Sequence, residues 1–333
     1  MSSFPALQSV WSQYFPPAPD YTPSHIPSLT GKTLLITGAN SGIGYELLKL
    51  LYPTGATIYL ACRSEASALA AISSIKAGYA SPAPDTSTPK TPSTLRFLHL
   101  DLADLNSVRR AAAELLQQET KLDILWNNAA LAAAPLGSST AQGIEGHVGT
   151  NCVAPLLFTQ LVLPLLKSAA AGAPRGSVRV VWTGSVMVDT HAPRGGVDFD
   201  VIDGGATRRS VPDYAASKVG NWWLCVESAK AWGPFGISSV VHNPGNLNSR
   251  AYRNQPWYIM IILRTLFLYD NSYGALTLAY SGLSEEVKNG DYIWPWGRKG
   301  MSTREDLKVQ LEKGAPERFW KWCEEKGKLG IEG

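Results

Sequence analysis

The feature that most constrains the fold is a regular alternation of short apolar runs with longer segments of helical periodicity. The first run, KTLLIT at residues 32–37, is apolar almost throughout, which is typical of a strand buried on both faces of a sheet. Similar runs recur along the chain, at residues 57–62, 95–100, 122–126, 177–183, 237–242 and 291–296. Helical patterns stand between them, at residues 43–52, 66–77, 105–118, 143–168, 214–232 and 273–283. Repeated strand–helix units predict an α/β fold, with one doubly wound parallel sheet and helices on both faces.

No segment separates the chain convincingly into two domains, so its 333 residues are expected to form a single domain with extensions at both ends. Residues 1–30 are rich in proline, serine and aromatic side chains and predict an arm that lies on the surface. Residues 31–300 are expected to form the main domain, and residues 301–333 a helical extension. Residues 78–94 contain four prolines and predict a surface loop.

Composition and charge argue against several classes of protein. The net charge is +3, from 30 Lys and Arg against 27 Asp and Glu, and no basic tract indicates a nucleic-acid partner. Arg264 interrupts the longest apolar run, at residues 258–268, so no run reaches the roughly 18 residues of a membrane span. The cysteines and histidines lack the spacing of metal ligands, and the first residues lack a secretory signal. We therefore expect a cytoplasmic protein without a membrane span, a metal site or a nucleic-acid partner.

A glycine-rich loop follows the first predicted strand and opens the first predicted helix. Its sequence, TGANSGIG at residues 37–44, places glycines at positions 38, 42 and 44. Such a turn presents backbone N–H groups and a helix N-terminus to a pyrophosphate. The loop therefore predicts a Rossmann-like dinucleotide site, although a purely structural turn would use glycine in the same way.

This loop resembles the signature of the short-chain dehydrogenase/reductase superfamily. Further motifs fit the same family in chain order: Asp101, NNAA at residues 127–130, Asn151, Ser185, YAASK at residues 214–218 and NPG at residues 243–245. Ala130 departs from the family's usual NNAG. A similarity over residues 290–326 points to a fungal subgroup that resembles retinol dehydrogenases.

The resemblance implies both a catalytic set and a cofactor site. The implied catalytic residues are Asn151, Ser185, Tyr214 and Lys218. The contacts expected for a nicotinamide dinucleotide are spread over all of the motifs: Gly38, Ser41, Gly42, Ile43, Gly44, Arg63, Asp101, Leu102, Asn128, Ala129, Tyr214, Lys218, Pro244, Gly245 and Leu247.

Tyr214 and Lys218 are suited to proton transfer. They stand four residues apart on a predicted helix, so their side chains share one face. A free tyrosine has a pKa of about 10, which is too high for efficient proton exchange at neutral pH. A neighbouring ammonium would lower that pKa by favouring the phenolate.

The other two residues of the set each allow two interpretations. Ser185 ends a predicted strand, where it would stabilise a developing alkoxide, or would simply cap a turn. Pro155 lies four residues after Asn151 and has no N–H, so the Asn151 carbonyl loses its usual helical partner. As a hypothesis, that carbonyl holds a water that connects Lys218 with solvent. The alternative is a plain proline kink.

The residues after the second predicted strand favour NADP(H) over NAD(H). Enzymes that use NAD place an acidic residue here to bind the ribose 2′-hydroxyl. Cys62 takes that position and Arg63 follows it. A guanidinium suits a 2′-phosphate, although an arginine at the start of a helix would also be ordinary.

Two segments are expected to cover the substrate, at residues 186–213 and 246–270. The second has too many contiguous apolar residues for a single helical stripe: Trp257, Tyr258, Ile259, Met260 and Ile261. We interpret it as a lid over a bulky hydrophobic substrate. The alternatives are a helix fixed on the core, or one that touches a membrane surface.

The sequence thus predicts an NADP-dependent ketoreductase of secondary metabolism that acts on the carbonyl or alcohol of a hydrophobic metabolite. One alternative is a non-redox enzyme or a nucleotide-sensing binding protein on the same fold. Another is a retinol-type dehydrogenase at a membrane surface. The substrate, the reaction direction, the stereochemistry and the oligomeric state stay open, with a homodimer among the options.

Overall fold

A computed structural model of the protein describes residues 3–80, 91–132, 134–248 and 267–330. Within these residues, eight strands form one sheet in the order β3-β2-β1-β4-β5-β6-β7-β8. In chain order they are β1 Thr33–Thr37, β2 Thr57–Cys62, β3 Thr94–His99, β4 Ile124–Asn127, β5 Val178–Thr183, β6 Ile237–His242, β7 Tyr292–Trp294 and β8 Arg298–Gly300. Neighbouring strands run parallel from β3 to β7, and β8 pairs antiparallel with β7. The predicted doubly wound sheet is confirmed.

The strand order determines where a crevice forms. β1 lies between β2 and β4, so the chain winds away from β1 in opposite directions. The loops that follow β1 and β4 therefore diverge at the carboxyl edge of the sheet, which is where open α/β sheets bind ligands. The ends of neighbouring strands lie in register, because Thr37 pairs with Ala61, one residue before the end of β2, and Thr183 pairs with His242. The loops that follow these strands therefore start at the same edge of the sheet.

Helices cover both faces of the sheet. In chain order they are α1 Ser3–Tyr14, α2 Gly42–Leu51, α3 Glu65–Ala80, α4 Leu105–Gln118, α5 Gly146–Val148, α6 Ala154–Leu161, α7 Leu163–Ala171, α8 Met187–Thr190, α9 Phe199–Ile202, α10 Ser210–Trp232, α11 Asn271–Leu283, α12 Glu305–Glu312 and α13 Ala315–Gly327. Helices α2, α3 and α11 bury apolar side chains on one face. Helices α4, α6, α10 and α13 do so on the other. The described residues thus form a single domain.

The helix predicted over residues 143–168 is broken in the structure. A π-helical turn, Gly149–Val153, separates α5 from α6, and Pro155 lies in the first turn of α6. Because Pro155 has no N–H to donate, the regular hydrogen-bond ladder cannot continue through this point. The ladder shifts by one residue instead, and the Ala154 N–H donates to the Gly149 carbonyl. A second break at Val162 precedes α7.

The N-terminal arm contains a helix that the sequence did not predict, whereas helices α12 and α13 lie in the predicted helical extension. The predicted surface arm contains α1, and Gln13 near the end of this helix is 1% exposed. The antiparallel strand β8 was also missed. At the other end, α13 packs Phe319 into the core beside α10. The boundaries at residues 30 and 300, between the main domain and its two extensions, stay predictions.

The described residues contain no single helix long and apolar enough to cross a membrane. One pair, Gly146–Leu161 with Leu163–Ala171, meets the length and composition requirement together, but it is bent by 53°.

Candidate active site

A cleft of about 920 Å³ opens at the carboxyl edge of the sheet. The loops after β1, β2, β3, β4, β5 and β6 all contribute to its lining. Of the residues expected to contact the cofactor, every one except Gly44 lines this cleft. Of the catalytic set, Ser185, Tyr214 and Lys218 line it, whereas Asn151 is buried and does not line it. The cleft thus brings together motifs that are far apart in the chain.

The glycine loop after β1 has a backbone that favours glycine. Gly38 and Gly42 have φ of +71° and +59°, in the left-handed region that side chains disfavour. A Cβ on Gly38 would also lie 3.0 Å from the Cβ of Ala129, in the loop after β4. The hydroxyl of Thr37 joins the two loops, because it accepts hydrogen bonds from the N–H groups of Asn128 and Ala129, both at 2.9 Å.

Gly44 does not line the cleft and instead packs closely against Asn128 and Gly38. A Cβ there would lie 2.7 Å from both Asn128 Nδ2 and the Gly38 carbonyl oxygen. We therefore expect Gly44→Ala to destabilise the protein by about 1–3 kcal/mol, the usual cost of overpacking. Gly78→Ala is the matched control, since a Cβ on that helical glycine meets no atom within 4 Å. The control should gain about 0.5–1 kcal/mol. Urea unfolding measures both, and equal stabilities would contradict this packing role.

The end of β2 presents a thiol and a guanidinium, with no carboxylate. Cys62 is buried, and burial raises the pKa of its thiol to about 11, so this position is neutral at physiological pH. Arg63 is exposed and lines the cleft. Ser64 and Ser67 line it beside Arg63, and the Ser64 hydroxyl donates to Ser67 Oγ at 3.1 Å. These two hydroxyls were not predicted.

Asp101 and Leu102 follow β3 and line the same cleft. The carboxylate of Asp101 accepts a hydrogen bond from the Ala103 N–H at 3.0 Å, and the backbone N–H of Asp101 donates to the Ser107 hydroxyl. These bonds fix the turn that brings both residues to the cleft wall.

Helix α10 carries Tyr214 and Lys218 into the cleft. Lys218 Nζ lies 5.5 Å from the centroid of the Tyr214 ring and donates to the Thr183 carbonyl at 2.8 Å. Lys218 is 1% exposed, and this burial lowers the pKa of its ammonium to about 8. Two titratable groups near it are uncharged at neutral pH. Burial raises the pKa of the Cys152 thiol, and burial together with Lys218 lowers the pKa of His242 to about 3.

Ser185 lies beyond the end of β5, on the wall of the cleft. Its Oγ accepts a hydrogen bond from the Met187 N–H at 3.2 Å, at the start of α8. The hydroxyl hydrogen is not used in that bond, so turn capping and donation to a substrate oxygen are compatible. The preceding residue is Gly184, and a Cβ there would lie 3.0 Å from the His242 carbonyl oxygen. This crowding explains a glycine at the position.

Asn151 acts on the site through its neighbours. Its Oδ1 accepts from the Leu131 N–H at 2.7 Å, and its Nδ2 donates to the Leu131 carbonyl at 3.0 Å. The same Nδ2 donates to Ser217 Oγ at 2.9 Å. Asn151 therefore ties the loop after β4 to helix α10, one residue before Lys218. The hypothesis of a water on its backbone carbonyl stays a prediction.

A buried cluster behind Tyr214 was not predicted. His147 Nε2 accepts from the Ala134 N–H at 3.1 Å, so the other ring nitrogen carries the hydrogen and donates to Glu145 Oε1 at 3.0 Å. The Thr207 hydroxyl donates to the same carboxylate. Burial alone would raise the pKa of Glu145, but these hydrogen bonds lower it below its usual value. The His147 ring lies 6.0 Å from the Tyr214 ring, so the cluster supports that side chain. No motif in the sequence indicated it.

The ends of the predicted lid are tied together. The Asn248 N–H donates to the Tyr269 carbonyl at 3.0 Å, and the Tyr269 N–H donates to the Asn246 carbonyl at 2.8 Å. Leu247, Phe267 and Leu268 line the cleft. Residues 249–266, with the apolar run at 257–261, lie outside the described residues, so the lid itself stays a prediction.

Among the described residues, no group of three or more His, Cys, Asp and Glu side chains is placed to hold a metal ion. All four cysteines are buried and unpaired.

Comparison with known proteins shows similarity to one family of dehydrogenases. A family model described as short chain dehydrogenase matches residues 32–197. A short-chain dehydrogenase/reductase of Pestalotiopsis fici, iacJ, is 50% identical over 98% of this chain and 99% of its own length. Another, from Phomopsis amygdali, is 41% identical over 98% of each chain.

Solved structures share the fold at low sequence identity. The NADP active-site complex of Pseudomonas aeruginosa RhlG matches with a TM-score of 0.59 and 23% identity, over 80% of this chain and 95% of that one. The 3-ketoacyl-(acyl-carrier-protein) reductase of Brucella melitensis, complexed with NADH, matches with a TM-score of 0.58 and 20% identity, over 80% and 96%.

Proposed function

Because the chain belongs to the short-chain dehydrogenase/reductase family, we propose that it is an NADP(H)-dependent ketoreductase acting on a hydrophobic metabolite. The observation that carries this proposal is the meeting of Ser185, Tyr214 and Lys218 in the cleft that the glycine loop borders. A non-redox or nucleotide-sensing protein on the same fold would need the glycine loop but not these three side chains together.

The residues of the cleft fit a nicotinamide dinucleotide. Gly38 and Gly42 let the backbone come close to a pyrophosphate, and the first turn of α2 offers its free N–H groups. Asp101 and Leu102 would border the adenine end, and Pro244, Gly245 and Leu247 the nicotinamide end. When bound, this cofactor exchanges a hydride with the substrate carbon.

The protein's own residues would handle the proton and the substrate oxygen. In reduction, the Tyr214 hydroxyl would give its proton to the carbonyl oxygen as the C–H bond forms, and in oxidation it would take one back. The Ser185 hydroxyl would donate to the same oxygen and stabilise its negative charge. Lys218 would favour the phenolate of Tyr214 by its charge.

NADP(H) is favoured by the charges at the end of β2. The neutral Cys62 offers no carboxylate to a ribose 2′-hydroxyl, and a carboxylate there would repel a phosphate. Arg63 is exposed at the cleft and able to pair with a 2′-phosphate. The Ser67 hydroxyl, which accepts from Ser64 and keeps its own hydrogen, stands beside it as a further donor.

A hydrophobic substrate is supported by the other end of the cleft. Val186, Met187, Leu268 and Leu131 line it near Ser185 and Tyr214. The two relatives come from fungi, in agreement with the similarity of residues 290–326 to a fungal subgroup. A role in secondary metabolism and a cytoplasmic location are part of the proposal. NADPH consumption with a panel of aromatic and polyketide ketones tests the activity directly.

Arg63→Ala is expected to weaken NADPH binding about 10- to 100-fold, the usual effect of losing a charge-assisted hydrogen bond. NADH lacks the 2′-phosphate, so its dissociation constant should change less than about 2-fold. Fluorescence titration with each cofactor measures both constants. Lys76→Ala, which removes an exposed cation from α3 outside the cleft, is the control. Equal losses for both cofactors would contradict the role of Arg63.

A further inference from the structure

The N-terminal helix α1 ends at the cleft. Tyr14, its last residue, is half-buried and lines the cleft wall. The next residue, Phe15, packs with its ring centroid 5.9 Å from that of Phe267, which also lines the cleft. A segment that precedes the whole sheet in sequence therefore contributes to the site.

The contacts of α1 place Tyr14 at the substrate end. The residues that hydrogen-bond with α1 are Asp189 after β5, Asn243 after β6 and Arg298 in β8. All three belong to strands on the same side of β1 in the strand order. Arg63 follows β2, on the opposite side. Tyr14 is thus separated from the proposed phosphate site and lies on the side that carries Ser185.

Gln13 connects two segments that border the cleft. Its buried amide Nε2 donates to Asp189 Oδ2 at 3.0 Å, and its Oε1 accepts from Asn243 Nδ2 at 3.0 Å. Asp189 lies in α8, four residues after Ser185. Asn243 begins the loop that continues to Gly245, and it accepts the Gly245 N–H at 3.1 Å. One side chain of α1 therefore holds both segments.

Other contacts fix the helix in this place. Arg298 in β8 donates to the hydroxyl and to the carbonyl of Ser12, each at 2.6 Å. The second oxygen of Asp189 accepts from the Ser302 hydroxyl at 2.5 Å. The helix is thus held by hydrogen bonds to several elements, and both polar atoms of the buried Gln13 amide are hydrogen-bonded.

We propose that α1 is a wall of the substrate site, with Tyr14 as a specificity-determining residue and Gln13 as a positioning residue. The proposal rests on the ketoreductase function argued above and deepens it. The Tyr14 ring and the apolar side chains of Met187 and Leu268 select ketones with a flat ring or a bulky apolar group beside the carbonyl. The Tyr14 hydroxyl is suited to a polar substituent on that group.

Tyr14→Ala tests the wall. Removing the ring should raise the KM of a bulky aromatic ketone about 10-fold or more and leave that of a small aliphatic ketone within about 2-fold. NADPH affinity should stay within about 2-fold, because Tyr14 lies away from Arg63. Tyr14→Phe should affect only ketones that carry a polar substituent. An unchanged ratio of the two KM values in Tyr14→Ala would overturn the role in specificity.

Gln13→Met tests the positioning role, and Gln8→Met is the matched control. Gln8 is an exposed glutamine on the same helix. Loss of the Gln13 amide should speed hydrogen exchange at residues 187–190 and 243–248 about 10-fold or more, while Gln8→Met leaves both segments unchanged. This readout needs no substrate. In activity assays, Gln13→Met should raise KM with a smaller change in kcat.

The two measurements separate the possible failures. If the wild-type protein binds NADPH but reduces no ketone of the panel, the proposed function fails, and the exchange experiment still decides whether Gln13 holds the two segments. If exchange is the same in Gln13→Met and Gln8→Met, the positioning role is overturned even in an active enzyme.

Discussion

Replacing Tyr214 with phenylalanine is expected to lower kcat about 10²- to 10⁴-fold, the usual contribution of a positioned proton donor. The change removes one hydroxyl from a ring that packs 6.0 Å from His147 and 5.5 Å from Lys218 Nζ, so the ring's packing is retained. NADPH binding should therefore change less than about 2-fold. Single-turnover hydride transfer with a ketone found in the screen, together with a fluorescence titration, measures the two effects.

Tyr45→Phe is a control for the loss of a tyrosine hydroxyl. Tyr45 lies on α2, and its hydroxyl hydrogen-bonds with Ser74 Oγ at 3.0 Å, outside the cleft lining. This variant should keep wild-type turnover. Full activity in Tyr214→Phe would mean that another group gives the proton, and Ser185 would be the first to test.

The main elements could be predicted because each is encoded locally. Strands β2 and β6 and helix α4 lie where the apolar runs and the helical pattern placed them, at Thr57–Cys62, Ile237–His242 and Leu105–Gln118. A strand covered on both faces has to be apolar throughout, and that requirement leaves a readable run. The three residues of β8 are Arg, Lys and Gly, so their antiparallel pairing with β7 leaves no such signal.

The same distinction applies to the cleft. Gly38 and Arg63 could be predicted to line it because each belongs to a short motif that directly follows a strand. The role of Gln13 depends on partners 176 and 230 residues away, Asp189 and Asn243, and nothing near position 13 indicates them. The cluster around His147 also joins distant loops, and Thr207 lies 62 residues from Glu145. Interactions between distant segments cannot be inferred from one sequence without the fold.

The role predicted for Asn151 differs from the contacts that it makes. The family motif and the position of Pro155 predicted a role for its backbone carbonyl. In the structure its side chain makes three hydrogen bonds, to both backbone groups of Leu131 and to Ser217. The positioning of α10 thus depends on an amide whose partners the sequence alone could not identify.

Lys218→Met is expected to abolish turnover and yet to stabilise the folded protein. Lys218 is 1% exposed, and burial lowers its pKa from 10.5 to about 8. That difference corresponds to about 3 kcal/mol against the charged form in the folded state. Methionine is similar in length and carries no charge. The Thr183 carbonyl loses the Lys218 hydrogen bond but keeps the one from Asn221 Nδ2 at 2.8 Å. A net gain of about 1–3 kcal/mol at pH 7 should follow.

The pH dependence distinguishes this explanation from simple repacking. Below pH 8 the lysine is protonated in the folded and the unfolded protein, so the wild type bears the whole cost of burying the charge. Between pH 8 and pH 10.5 the unfolded chain binds more protons than the folded one, so wild-type stability rises with pH relative to the variant. Cys152 and His242 face Lys218 but are neutral in the folded protein at pH 7, so they add no opposing charge there.

Urea unfolding of both proteins at about pH 7 and about pH 9.5 should show the stability advantage of Lys218→Met shrinking at the higher pH. Lys76→Met, at an exposed lysine, should show no such trend. A Lys218→Met protein that is less stable than the wild type at pH 7, or whose difference from it is independent of pH, would show that the buried ammonium carries no such cost.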